Sequence, residues 1–142
     1  MAAQQAIRVL VVDDSESVRT SLHQVLGVFP DLQWVGESRD GGDVLEQCER
    51  LQPDVVLLDV TLPHVDVAET IHLIRGRYLH TQVIGITSFE EQTLIDHILR
   101  AGAALCLPKN ANIRLIAEGV RRAANAADST DLVNRTGNLP LH

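Results

Sequence analysis

Five short runs of β-forming residues alternate with amphipathic stretches along most of the chain, and this alternation constrains the fold more than any other feature. The runs are IRVLVV (7–12), LQWVG (32–36), DVVLLD (54–59), QVIGIT (82–87) and ALCL (104–107). Between them apolar residues recur at helical spacing: Val18, Leu22, Val25 and Phe29; then Val44, Cys48 and Leu51; then Val67, Ile71 and Ile74; then Leu94, Ile98 and Ala101. Ile113, Ile116, Val120 and Ala124 mark a fifth helix. Asp40-Gly41-Gly42, Gln52-Pro53-Asp54 and Ala101-Gly102-Ala103 punctuate the joins. A (βα)5 order calls for right-handed crossovers. It predicts a doubly wound α/β domain, a five-stranded parallel sheet with helices on both faces.

The 142 residues suffice for one such core. Hydrophobic residues make up 45% and aromatics 3%, so that core must be aliphatic. A formal charge of −7 argues against binding nucleic acid through a general basic surface. Cys48 and Cys106 have no metal-type spacing and read as reduced thiols. MAAQQAIRVLVVDD lacks the basic start and long apolar run of a signal peptide, and no segment approaches the roughly 20 apolar residues of a membrane span. The expectation is a cytoplasmic protein with no membrane contact. The domain is placed at residues 6–127, and the aperiodic, polar residues 128–142 as a linker or disordered tail.

In an open parallel sheet, ligands bind beyond the carboxyl ends of the strands, where strand order reverses. The first strand ends in Asp13-Asp14, the third in Asp59 and the fourth in Thr87-Ser88, and Lys109 follows the fifth. Three converging carboxylates repel one another unless a hard cation neutralises them, and oxygen-only ligands point to Mg²⁺. A hydroxyl and an ammonium beside them supply the donor and countercharge that a phosphoryl group needs. Asp59 then makes sense as a nucleophile forming an acyl phosphate. Each residue taken singly has a plainer explanation: Asp13 or Asp14 capping a helix, Asp59 opening a turn with Pro63, Thr87 as a β-branched strand residue, Lys109 as a solvated lysine. Their coincidence on one edge is what carries the chemical reading.

VLVVDD (9–14), PDVVLLDVTLP (53–63), IGITS (84–88) and AGAALCLPK (101–109) resemble the receiver domain of two-component response regulators, from Ile7 to Ala126. Residues 34–60 look most like the subgroup joined to a LuxR-type helix-turn-helix. The resemblance implies a flavodoxin- and CheY-like fold and a phospho-accepting signalling domain. Asp59 would be the acceptor. Asp13, Asp14, Asp59 and the backbone carbonyl of Thr61 would hold Mg²⁺, and Lys109 would pair with the phosphoryl group. Thr87, with Ser88 and Cys106, would form the switch that carries the signal to the 91–109 surface. It further implies a sensor histidine kinase as phosphodonor. DNA contact would come only through an output domain absent from this chain, and Leu115, off the apolar stripe of the last helix, offers a homodimer contact. The domain would accept and slowly lose its own phosphoryl group and would not be a conventional turnover enzyme.

Several positions depart from the family pattern. Cys106 stands where receivers usually carry an aromatic, which predicts a smaller or different output movement. Val67 replaces a common glycine, so the loop after Asp59 should differ locally. Pro108 precedes the lysine, leaving Leu107–Pro108 as the candidate cis bond. Thr61 and Phe89 flank the path of the hydrolytic water, and the bulk of Phe89 predicts slow loss of the phosphoryl group. His64, His72 and His80 share no helical face, so no metal site is expected there. Three rival readings remain: a haloacid-dehalogenase-type phosphatase, which would want an acid at position 61; a flavodoxin-like cofactor binder; and a stand-alone receiver acting by protein–protein interaction.

Overall fold

The computed structural model describes residues 5–88 and 91–128. Strands β1 (Ile7–Val12), β2 (Leu32–Ser38), β3 (Val55–Asp59), β4 (Gln82–Thr87) and β5 (Leu105–Pro108) form one parallel sheet in the order β2-β1-β3-β4-β5. Helices α1 (Glu16–Val28), α2 (Val44–Leu51), α3 (Val67–Arg77), α4 (Gln92–Ala101) and α5 (Ile113–Asp128) fill the joins. The inner strands β3 and β4 are buried along their whole length because both faces of the sheet are covered, whereas the edge strand β2 exposes Gln33 and Glu37.

Successive strand residues point to opposite faces, and the two cores follow that rule. Leu10, Val12, Val56, Leu58 and Val83 pack with α2, α3 and α4. Val9, Val11, Val55, Leu57, Ile84 and Ile86 pack with α1 and α5. Each fully buried aliphatic side chain contributes about 1.5–3 kcal/mol, so two continuous aliphatic layers can hold the fold with few aromatics.

Helix orientation departs from the expected stripes in two places. On α1 the buried positions are Arg19, Leu22 and Leu26; Val18 and Val25 are only half-buried, and Phe29 is the cap beyond the helix end. On α5 the buried set is Ile116, Ala117, Val120 and Ala123, while Ile113 is 47% exposed. Gly119 is buried among them, and a Cβ added there would lie 3.0 Å from the Leu107 side chain, so α5 meets β5 through a small residue. β2 runs two residues past the expected end, and its pairing with β1 slips between Val9 and Leu10. Every described peptide bond is trans, Leu107–Pro108 included.

The β3–α3 loop meets the missing glycine in its own way. Val67 starts α3 directly after Asp66, whose carboxylate accepts the Glu69 N–H at 3.0 Å. The left-handed residue is His64 instead, at φ +65°. Gly102, at φ +125°, closes α4, and its N–H donates to the Ile98 and Leu99 carbonyls.

Candidate functional site

Strand register brings the chemistry together. Val12 pairs with Leu58, Asp59 with Ile86 and Thr87 with Pro108, so Asp13, Asp59, Thr87 and Lys109 all emerge at one sheet edge. In the observed strand order the direction of winding reverses between β1 and β3, where Asp13 and Asp59 sit. Main-chain bonds bridge the exits: Asp13 N–H to Ser38 O at 3.1 Å, Val60 N–H to Ile86 O at 3.0 Å, and Lys109 N–H to Thr87 O at 2.8 Å.

The plainer explanations fare differently. Ser15, not an aspartate, caps α1 by accepting the Val18 N–H, while Asp13 Oδ1 accepts the Ser15 N–H at 2.9 Å. Asp59 does open a turn: its Oδ1 accepts the Thr61 N–H at 2.9 Å and the Thr61 hydroxyl at 2.7 Å. Those bonds orient the carboxylate and leave Oδ2 facing Lys109. The lysine is no solvated surface residue, because its Nζ lies 3.2 Å from both Asp13 Oδ2 and Asp59 Oδ2. Thr87 ends β4 with 5% exposure.

Asp13 and Asp59 are almost wholly buried, whereas Asp14 is exposed. Donor atoms of the three carboxylates lie within 4.8 Å of one another. Burial raises the Asp13 carboxyl above its ordinary pKa and neighbouring Asp59 adds to this, against the lowering by the Ser15 N–H and Lys109. For Lys109, burial favours the neutral amine, but Asp59 and Asp13 outweigh it and raise the pKa. One ammonium cannot satisfy three carboxylates. Asp13 Oδ2, buried and in Coulombic reach of Lys109, has no hydrogen-bond donor among the described residues. The oxygen-only donor set, and a buried Asp13 Oδ2 whose one cationic neighbour is shared with Asp59, fit a hard divalent cation bound by Asp13, Asp14 and Asp59.

Behind Thr87 the packing is tight. A Cβ added to Gly85 would lie 2.9 Å from Val60, 3.1 Å from Cys106 Sγ and 3.2 Å from Ile98. Cys106 thus turns inward over Gly85, beneath α4. Ser88 is exposed at the rim, and Phe89 lies outside the described residues.

Arg19 was not foreseen. It is buried on α1, donates from Nη1 to the Asp13 carbonyl at 2.8 Å and from Nε to Glu37 Oε1 at 3.1 Å. The available signal was its spacing of three and seven residues before Leu22 and Leu26, a helical face that an arginine enters only with partners.

A parallel sheet of this order, with carboxylates at its switch point and a lysine closing over them, defines a doubly wound α/β domain with an acidic strand-end pocket. The chain belongs to the response regulator receiver domain family, which it matches over residues 9–121. It is 35% identical to the response regulator GacA of Pseudomonas viridiflava, over 81% of this chain and 54% of that protein. It is 33% identical to the transcriptional regulatory protein LiaR of Bacillus subtilis, over 83% of this chain and 56% of that protein. The signal receiver domain of the putative response regulator NarL from Mycobacterium tuberculosis superposes with a TM-score of 0.81 at 31% identity, over 86% of this chain and 98% of that one. The response regulator domain of Thermotoga maritima CheB gives 0.77 at 31% identity, over 85% and 98%.

The chain spans about half the length of these curated relatives. It is a two-component receiver domain, and the phosphatase reading is not favoured. No helix among the described residues is long and apolar enough to cross a membrane.

Proposed function

We propose that this receiver accepts a phosphoryl group on Asp59 in a Mg²⁺-dependent reaction, from the phosphohistidine of a sensor kinase or from a small phosphodonor. The observation that carries this is Lys109 Nζ at 3.2 Å from both the Asp59 and Asp13 carboxylates, at the edge where Asp14 completes an oxygen-only cluster. Asp13, Asp14, Asp59 and the Thr61 carbonyl would hold the ion, which would neutralise charge on the transferring group's oxygens.

The Asp59 carboxylate attacks phosphorus in line. A P–O bond forms as the donor's P–N or P–O bond breaks, and the leaving group departs with that bond's electron pair. Thr61 fixes the carboxylate plane through its N–H and hydroxyl. Lys109, held charged by its two partners, pairs with the incoming oxygens. The product adds roughly −1.5 to −2 charges to the pocket.

Thr87 then hydrogen-bonds the phosphoryl group, and Ser88 and α4 follow. Turning a 1:99 population into 99:1 requires about 5.5 kcal/mol, within reach of a charged group making several strong bonds. The inward, tightly packed Cys106 leaves no ring to swing, so the output movement is smaller than in receivers with an aromatic there. Thr61 and Phe89 set the lifetime, which Phe89→Glu would shorten. The domain spans residues 6–127, works in the cytoplasm, and reaches DNA only through an output domain beyond this chain. Leu115, 40% exposed on α5, supplies a homodimer contact.

Incubation with Mg²⁺ and phosphoramidate tests the reading. One acid-stable, base-labile phosphoryl group per chain is expected, lost in Asp59→Asn. Steady turnover without a stoichiometric product would overturn it.

A further inference from the structure

Arg19 is a charged side chain about nine-tenths buried that the reaction above does not use. Its guanidinium works in two directions: Nη1 donates to the Asp13 carbonyl at 2.8 Å, and Nε donates to Glu37 Oε1 at 3.1 Å. On the other side of the same residue, the Asp13 N–H donates to Ser38 O at 3.1 Å. Asp13 is therefore gripped at both of its main-chain polar groups, once by the neighbouring strand and once by the helix that follows. The gripped carbonyl belongs to the peptide that joins Asp13 to Asp14. Its direction decides where both carboxylates point.

We propose that Arg19, steadied by Glu37, is the positioning residue of the Asp13–Asp14 pair, fixing the peptide between them so that both carboxylates face Asp59. The inference rests on the metal-dependent reading above and deepens it. Carboxylate donor atoms within 4.8 Å of one another repel, and Asp14 is exposed, so an untethered turn would relax by swinging Asp14 into water. A short bond from a buried cation to the shared peptide opposes that swing. Only a planar fork serves a carbonyl and a carboxylate in different directions at once; a lysine ammonium on a flexible stem does not keep both.

A residue that merely holds α1 on the sheet predicts something else: lost stability with an intact affinity for the ion. The two are separated by measuring Mg²⁺ binding to the full chain by isothermal titration calorimetry, alongside urea unfolding. The rate of phosphoryl acceptance from phosphoramidate is then followed as a function of Mg²⁺ concentration.

Arg19→Met is expected to raise the Mg²⁺ concentration for half-saturation by about 10–100-fold. Its rate at saturating Mg²⁺ should stay within about twofold of the parent, because the reacting groups are untouched. Arg19→Lys should recover little of the affinity, and Glu37→Gln should shift it the same way by a smaller factor. A folded Arg19→Met that binds Mg²⁺ like the parent overturns the proposal. Should that variant fail to fold, unchanged half-saturation in both Arg19→Lys and Glu37→Gln overturns it equally. A parent chain that neither binds Mg²⁺ nor accepts phosphate sinks the functional reading and this inference with it, whereas a competent parent matched by its variants sinks this inference alone.

Discussion

α3 and α4 lie side by side over the same face of the sheet, yet they are held by different means. α3 buries Val67, Ile71 and Ile74 and carries a side-chain cap from Asp66. Its far end is tied down twice. The Tyr78 hydroxyl reaches Leu45 O on α2 at 3.3 Å and Glu49 Oε1 at 3.0 Å, and Arg75 donates to the Thr81 carbonyl. α4 fully buries only Ile98, starts at Glu91 without a side-chain cap, and leaves Leu99 39% exposed. Burial of apolar area is the main source of local stability, so α4 should open more readily than α3. It is also the helix that follows Thr87. An element that must change packing has to come from the weakly held part of the fold, and here the two properties coincide.

The largest contrast should appear in the thiols. Cys48, wholly buried on the inner face of α2, which the Tyr78 hydroxyl ties to the end of α3, has its pKa pushed up to about 12 by burial. At pH 8 its thiolate population is roughly a thousandfold below that of an ordinary thiol. It should react with a thiol reagent only as the domain unfolds, and faster as pH climbs. Cys106, half-buried beside α4, is also raised by burial but should label first in the folded protein. Equal labelling rates would break the comparison.

Next in size, Ile71→Ala on α3 should cost about 2–5 kcal/mol in urea unfolding, against under about 1 kcal/mol for Leu99→Ala on α4. Gly85→Ala should cost about 1–3 kcal/mol, since the new methyl meets Val60, Cys106 and Ile98 at 3.2 Å or less. Combined with Cys106→Ala the two changes should be non-additive, which would sharpen the assignment of that contact to the α4 side. The smallest effects concern the caps. Asp66→Ala should lose about 1 kcal/mol, while Glu91→Ser should gain about 0.5 kcal/mol by giving α4 the cap it lacks. A gain at Asp66 or a loss at Glu91, read from the same unfolding curves, would reverse the ranking of the two helices.

Much of the site could be read from strand ends alone. Asp13, Asp59, Thr87 and Lys109 each follow an apolar run, and a parallel sheet leaves such residues only one edge to meet on. Arg19 escaped because an arginine beside Val18 and Leu22 reads as the polar border of a stripe. Its burial follows from a small rotation of α1 that lets Leu26, not Val25, face the sheet. The left-handed His64 escaped for a related reason. The loop length between Asp59 and α3 demands one reversed residue, but which residue takes it depends on where Asp66 can cap the helix.

The order and type of the elements, the parallel sheet and the acidic edge were determined by the chain's periodicity, because a period of two or of 3.6 is a local property that burial merely ratifies. Which carboxylates share Lys109, which helix is loosely held, and what grips the Asp13–Asp14 peptide were decided only by tertiary structure. Those contacts join residues remote in sequence, Lys109 with Asp59 and Arg19 with Glu37, and their distances depend on helix rotation and strand register together.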